Sequence, residues 1–304
     1  MATVSLGNLP GKREVSYPVA AMIIFACGYL GAVVTALALV DSLSAMLTSF
    51  LMVGLAVIFY ITIVFGIAEY LVKRLDIVDI AWGGGFIVAA ITSFILGVHE
   101  LGLNIQTLVT GLVIVWGLRL GYYILRRVTK HPEDKRYVEL RKKWKGNVAI
   151  NGYTRIFLTQ GVLATIISIA VILVNFSDTQ EIGMIALVGA TVWGIGFLFE
   201  SVGDAQLKKF LSNSKNKGQL MTKGLWRYTR HPNYFGEATM WWGIFIIALS
   251  VPYGWIGVVT PVVITFLLRF VSGVPMTEAS FSKKKGWQAY KRQTNIFVPL
   301  LPQK

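Results

Sequence analysis

Apolar residues run through this chain in blocks of about twenty, broken by short polar turns, the length a helix needs to cross the hydrocarbon core of a bilayer. The blocks predict spans at residues 17–40, 45–71, 77–98, 103–125, 156–174, 182–203, 234–250 and 255–270. Pro252 and Pro261 interrupt the last pair, so seven spans with a re-entrant segment is the variant of the same reading. The expected fold is all-α, a polytopic transmembrane bundle of seven or eight helices. The first block is too long for a signal-peptide core and no clean small-residue cleavage site follows it, so it is read as a span. With eight spans threaded, the turns at 41–44, 99–101, 175–181 and 251–254 share one side and contain no Lys or Arg. Lys12, Arg13, Lys73, Arg74, the stretches 126–155 and 208–230 and the tail share the other. The positive-inside rule then places both termini in the cytoplasm.

Composition sharpens the picture. Of 304 residues, 55% are hydrophobic and 14% charged, against about 25% charged in soluble domains. The net charge of +14 lies between the apolar runs. It therefore suits a membrane surface and an anionic small-molecule ligand, and no nucleic-acid partner is expected. Cys27, the only cysteine, excludes a disulfide framework or a thiolate metal site. No inverted repeat of the transporter kind is visible, and polar residues crowd one face where a channel would line both. The plasma (inner) membrane is favoured over the endoplasmic reticulum, and the oligomeric state is left open.

Candidate chemistry begins where polar residues enter apolar blocks. Pro232 fits the first position of a helix, whose exposed N–H groups beside Arg227, Arg230 and His231 would suit an anion. Asn233 and Glu237, four apart, share one face of that helix at the membrane boundary, where an unpaired carboxylate is costly. Interfacial anchoring accounts for Trp226, Tyr228 and Trp242 but not for that pair. Glu200 and Asp204 are again four apart, followed by Lys208 and Lys209; two carboxylates so spaced can accept hydrogen bonds from ribose hydroxyls or a carboxamide. No histidine joins them at ligand spacing, so no metal is expected. Arg119 lies inside a span, at a cost of at least about 2.5–3.5 kcal/mol on insertion scales. It needs a partner, for which Asp76, Asp79, Glu237 or a ligand oxygen would serve. Asp79 precedes a Gly83-Gly84-Gly85 run that lets a backbone or a flat ligand approach closely. The tail, with Lys283–285 and alternating aromatics, is expected to face anionic lipid and pack back on the bundle.

The run Gly224-Leu-Trp-Arg-Tyr-Thr-Arg-His-Pro-Asn-Tyr-Phe-Gly-Glu237, with Glu200-x-x-x-Asp204 before it and Gly273-x-Pro275-x-x-Glu278 and Tyr290 after it, resembles the uncharacterised branch of the steroid 5α-reductase-like integral membrane family. The likeness covers roughly 76–302. It divides the chain into a cytoplasmic segment 1–16, additional transmembrane helices at 17–72 and a reductase-like domain at 73–304. The resemblance implies NADPH entering from the cytoplasm and a lipid or sterol-like substrate entering from the bilayer. The family's nicotinamide and ribose positions fall on Asn233, Glu237 and Asp204, with Glu200 where the steroid enzymes have Asn. Tyr228, Glu278 and Tyr290 complete the implied cofactor set. The family's substrate-side Tyr falls on Trp116, and its substrate-side Glu has no match. The expected chemistry is hydride transfer to a C=C bond conjugated to a carbonyl, with the cofactor phosphates on Lys208, Arg227, Arg230 and His231. Arg119, with Tyr123 or Asp79, would stabilise the enolate oxygen. Arg230-His-Pro-x-Tyr-x-Gly236 also looks like the isoprenylcysteine carboxyl methyltransferases, which keeps S-adenosylmethionine as the alternative cofactor. Charge favours NADPH, because its phosphates want an Arg/Lys array whereas a sulfonium wants acids and aromatics.

Overall fold

In hydrocarbon only a helix or a closed barrel satisfies every backbone N–H and C=O, and the apolar blocks of this chain become helices. The computed structural model describes residues 45–97 and 101–303, and among them there is no strand. α1 (Ala45–Gly66) runs on through a wide π-helical stretch, Ile67–Val72. α2 (Ile77–Leu96) and α3 (Ile105–Val128) follow, then a short basic helix α4 (Lys135–Lys143). α5 (Val148–Gly152), α6 (Thr159–Ile167) and α7 (Ile169–Asn175) lead to the long α8 (Met184–Leu211) and to α9 (Pro232–Ala248). α10 (Val259–Phe266), α11 (Val274–Phe281) and α12 (Trp287–Gln293) complete the order. The expected span at 17–40, Cys27, Lys12, Arg13, the segment 1–16 and the turns at 41–44 and 99–100 lie outside the described residues.

Five stretches are long and apolar enough to cross a membrane, and six if the bent pair formed by Val148–Ile167 and Ile169–Asn175 counts as one. Large side chains such as Phe59, Leu118, Leu198 and Phe266 are more than half exposed, as lipid-facing residues are. The chain is a membrane-embedded helical protein. Two expected spans take a different form. The block 156–174 bends by 50° at Ser168, whose hydroxyl and that of Thr165 donate back to the carbonyls of Ala164 and Gly161. The N–H of Ala170 beyond the bend donates to Thr260 Oγ1 at 3.1 Å. The block 234–250 is α9, 17 residues or about 25 Å long, short of the roughly 30 Å hydrocarbon thickness. Pro261 does not break α10, because it falls in the first turn, where an N–H has no intrahelical acceptor. At the start of α3, Asn104 Oδ1 accepts from Thr107 N at 2.7 Å and fixes the entry of the chain.

Two antiparallel helix pairs place the polar residues. α8 carries Gly189, Gly196 and Gly203 seven apart and α9 carries Gly236 and Gly243 seven apart, and the backbones meet at Gly196 against Gly236 and Gly189 against Gly243. Small residues at such a seam let helices approach to backbone contact. α2 and α3 do the same where Gly83 meets Gly117. Phe86 of α2, Trp116 of α3 and Trp241 of α9 join the pairs, with ring centroids 4.8–5.3 Å apart.

Candidate functional site

The α8–α9 seam fixes where the buried carboxylates lie. Gly196 and Gly203 bracket Glu200 in the sequence, and Gly236 precedes Glu237, so close approach of the helices brings Glu200, Asp204, Asn233 and Glu237 to one level. The α2–α3 contact at Gly117 brings Trp116 and Arg119 to the same level from the other side. Arg119 Nη2 donates to Glu200 Oε1, and its Nη1 donates to Asp204 Oδ2 at 3.1 Å. Trp116 Nε1 donates to the other Glu200 oxygen at 3.1 Å, and Asn233 Nδ2 donates to Asp204 Oδ1 at 3.3 Å. Glu237 is buried beside them, within electrostatic reach of Arg119 and Asp204 and hydrogen-bonded by Trp82. Tyr123 lies one helical turn from Arg119 on the same face of α3, with Asp204 and Arg127 as charged neighbours.

The result is a hub of three carboxylates, one guanidinium and one amide inside the membrane domain. Removing Arg119 would leave its buried carboxylates uncompensated, typically a loss of about 3–5 kcal/mol. Three buried polar atoms at or beside it lack a hydrogen-bond partner among the described residues: Arg119 Nε, Asn233 Oδ1 and, one turn beyond Glu237 on α9, Trp241 Nε1. They are two donors and one acceptor. Among the described residues no group of His, Cys, Asp or Glu is arranged to hold a metal ion.

A second cluster forms where the tail returns to the segment before α9. Arg230, expected at the mouth of a phosphate site, is buried and committed inside the protein. Its Nε donates to Glu278 at 2.7 Å, its Nη1 donates to the carbonyls of Lys291 and Thr294, and its guanidinium lies over Trp287. His231 is fully buried, stacked on Tyr234 and Phe281, with Nε2 3.5 Å from Glu278. Burial holds its imidazole below the ordinary value, against the pull of the carboxylate. Tyr290 donates to the Trp226 carbonyl at 2.6 Å, and burial raises its phenol. Arg230, His231, Glu278 and Tyr290 thus form a clasp, while Lys208, Arg227 and Tyr228 are exposed around it.

A third cluster takes Asp79 away from Arg119. Asp79 accepts from Tyr137 at 2.6 Å and from Arg127 at 3.2 Å, with Arg136 at 3.5 Å. Burial, then the neighbouring Asp79, pushes the Tyr137 phenol up. Asp76 pairs with Arg74 at 2.8 Å. Of the partners expected for Arg119, only Glu237 is in its surroundings, and Glu200 and Asp204 take the direct contacts. Of the three catalytic candidates, Arg119 and Tyr123 share the hub and Asp79 does not. The sequence reading gave no role to Trp82, Trp241 or Tyr137. Trp82, three residues after Asp79 on one face of α2, carried a signal; the meeting of Tyr137 with Asp79, 58 residues away, carried none.

A family model described as a protein of unknown function (DUF1295) matches residues 64–294, a span that includes the hub, the clasp and the Asp79 cluster. No curated protein and no solved structure matches the chain.

Proposed function

The chain belongs to the DUF1295 family, which is related to the steroid 5α-reductase-like membrane proteins, and on that premise we propose an NADPH-dependent oxidoreductase. Its reaction is reduction of a C=C bond conjugated to a carbonyl in a steroid-like or other lipid within the membrane. The observation that carries this reading is the Asn233 side chain: its amide N–H is tied to Asp204, and its carbonyl oxygen is buried without a partner among the described residues. A buried acceptor of that kind wants a donor, and a carboxamide N–H supplies one. The nicotinamide end of the cofactor fits this set, with Asn233 as acceptor and Glu200, Asp204 and Glu237 nearby. The phosphate end fits the exposed Lys208 and Arg227 rather than Arg230 and His231, which the clasp occupies. When bound, NADPH would supply a hydride, and with it the two electrons of the reduction.

The protein's own part is orientation and charge. Glu200 and Asp204 hold the Arg119 guanidinium through its two terminal nitrogens, and its Nε–H has no partner among the described residues. A substrate carbonyl receiving that bond would have its developing enolate charge stabilised by a donor that needs no reorganisation. In this reading the Tyr123 hydroxyl, one turn nearer the basic face, would deliver the proton that completes reduction.

One observation favours the methyltransferase alternative. Three carboxylates face a single guanidinium next to Trp82, Phe86, Trp116 and Trp241, surroundings that suit a sulfonium. Titration of purified protein in nanodiscs with NADPH and with S-adenosylmethionine separates the two. The reductase reading expects NADPH binding, weakened by roughly 1–3 kcal/mol in Asn233→Ala and in Glu237→Ala. Binding of S-adenosylmethionine with indifference to NADPH would overturn it.

A further inference from the structure

Among the described residues α8 packs mainly on α9 and little on α3; where α3 and α8 face each other, side chains bridge them. Those side chains are Arg119 and Trp116 from α3, reaching Glu200 and Asp204 on α8. Behind them lies α9 with Glu237 and Trp241, so the hub sits in a groove with α9 as its floor. The position of each residue around its helix, at about 100° per residue, shows what separates this groove from lipid. On α8 the glycine seam faces α9, Glu200 and Asp204 come next, Phe197 and then Ser201 follow, and Leu198 and Val202 lie beyond, exposed. On α3, Arg119 lies between buried Trp116 and the exposed stripe of Val115, Leu118 and Tyr122.

Among the described residues, the wall between the hub and the outside of the bundle is therefore one side chain thick. Arg119 lies over the ring of Phe197 at 5.9 Å, and Phe197 stacks on Trp193 at 5.0 Å. The Arg119 side chain keeps 19% exposure although it lies about 13 Å, nine helical residues, from the end of α3. Ser201 Oγ, the next polar atom beyond Phe197, is buried and has no partner among the described residues.

We propose that the groove between α3 and α8 is a lateral portal gated by Phe197, through which a lipid substrate presents its polar end to Arg119. This rests on the hub being the reaction site. The substrate it fits is a lipid with one hydrogen-bond-accepting end and an extended apolar body. The head meets Arg119 Nε–H, with Ser201 beside it, and the body remains in the bilayer against Leu118 and Leu198. A soluble cofactor approaching from the basic face would meet the same hub from another direction, so the two reactants need not pass each other.

Two measurements test the portal. A nitroxide on Phe197→Cys, in a Cys27→Ser background in nanodiscs, is expected to collide with oxygen dissolved in lipid and to be shielded from an aqueous nickel chelate. Collision with the nickel chelate alone would place the groove on water and overturn the proposal. In the second, Phe197→Trp narrows the opening. Its kcat/KM for cyclohexenone bearing a long alkyl chain should fall by about tenfold or more, with cyclohexenone itself spared. NADPH affinity should stay within about twofold of wild type. Equal kcat/KM for the long-chain enone in wild type and variant would overturn the gate. Should wild type bind no NADPH and reduce neither enone, the reductase reading falls, and the collision data still decide the portal.

Discussion

Gly196 offers a test of the architecture that needs no assumption about function. A Cβ at this position would lie 2.5 Å from the Gly236 carbonyl oxygen and 2.6 Å from Met240 N, both backbone atoms of α9. The nearer contact is about 0.9 Å short of the 3.4 Å at which ordinary contact begins, and neither atom can rotate away. Gly196→Ala must therefore push α8 and α9 apart. Overpacking of this kind costs about 1–3 kcal/mol, from which roughly 1 kcal/mol of better helix propensity is recovered. Separation also lengthens the bond from Asn233 to Asp204, which starts at 3.3 Å and has little range left. Gly194, two residues earlier on α8, is the control, since its Cβ would meet nothing within 4 Å and Gly194→Ala should be neutral or stabilising. SDS-induced unfolding in mixed micelles, followed by the fluorescence of the nine tryptophans, gives the comparison. Equal midpoints for Gly196→Ala and Gly194→Ala would refute the backbone contact and the account of how the hub is assembled.

Three further outcomes are expected. In a Cys27→Ser background, cysteines at Asp178 and Tyr253 should react only from the non-cytoplasmic side and those at Lys143 and Lys217 only from the cytoplasm; one reversed loop breaks the topology drawn from charge. Trp116→Phe keeps the ring but removes the donor to Glu200, and should destabilise by about 1–3 kcal/mol, whereas Trp242→Phe, at an exposed site, should cost no more than about 0.5 kcal/mol. His231 is held below its ordinary value of 6.5 by burial, with Glu278 pulling the other way and Arg230 and Arg269 opposing protonation. The unfolded chain then binds more protons than the folded one below pH 6.5, so stability should decline as pH falls through that value and level off above it. An SDS midpoint with the same pH slope in His231→Gln would assign the effect elsewhere.

The sequence made the helices legible because hydrocarbon admits little else, and it made the acids legible because burial of charge inside a span demands a reason. The four-residue spacing of Glu200 with Asp204 and of Asn233 with Glu237 showed which residues share a face. It did not show which helices face each other. That depended on the seven-residue glycine spacing, which joins α8 to α9 and gives Arg119 its partners in place of Asp76 or Asp79. Arg230 misled for a different reason. A surface arginine and an arginine roofed by a returning tail look alike in one dimension, and the carbonyls that consume it lie 61 and 64 residues away. The bend at Ser168 was hidden as well, since a Ser hydroxyl turned onto its own helix leaves no pattern in hydropathy.

The tail also imposes an order on biosynthesis. Arg230 N donates to Asn295 O, Thr229 Oγ1 to Phe297 O and Leu300 N to Tyr228 O, so the segment that starts α9, tied to α8 through Gly203 and Gln206, gains these further ties only from residues translated about seventy positions later. While the ribosome still holds those residues in its tunnel, α9 can lie against α8 and the hub carboxylates can find Arg119, but Arg230 has no lid. Through that interval it is an uncovered cation at the membrane surface. A nascent chain arrested before residue 290 would present a binding face without its clasp, and a quality-control protease or chaperone would meet it in that state.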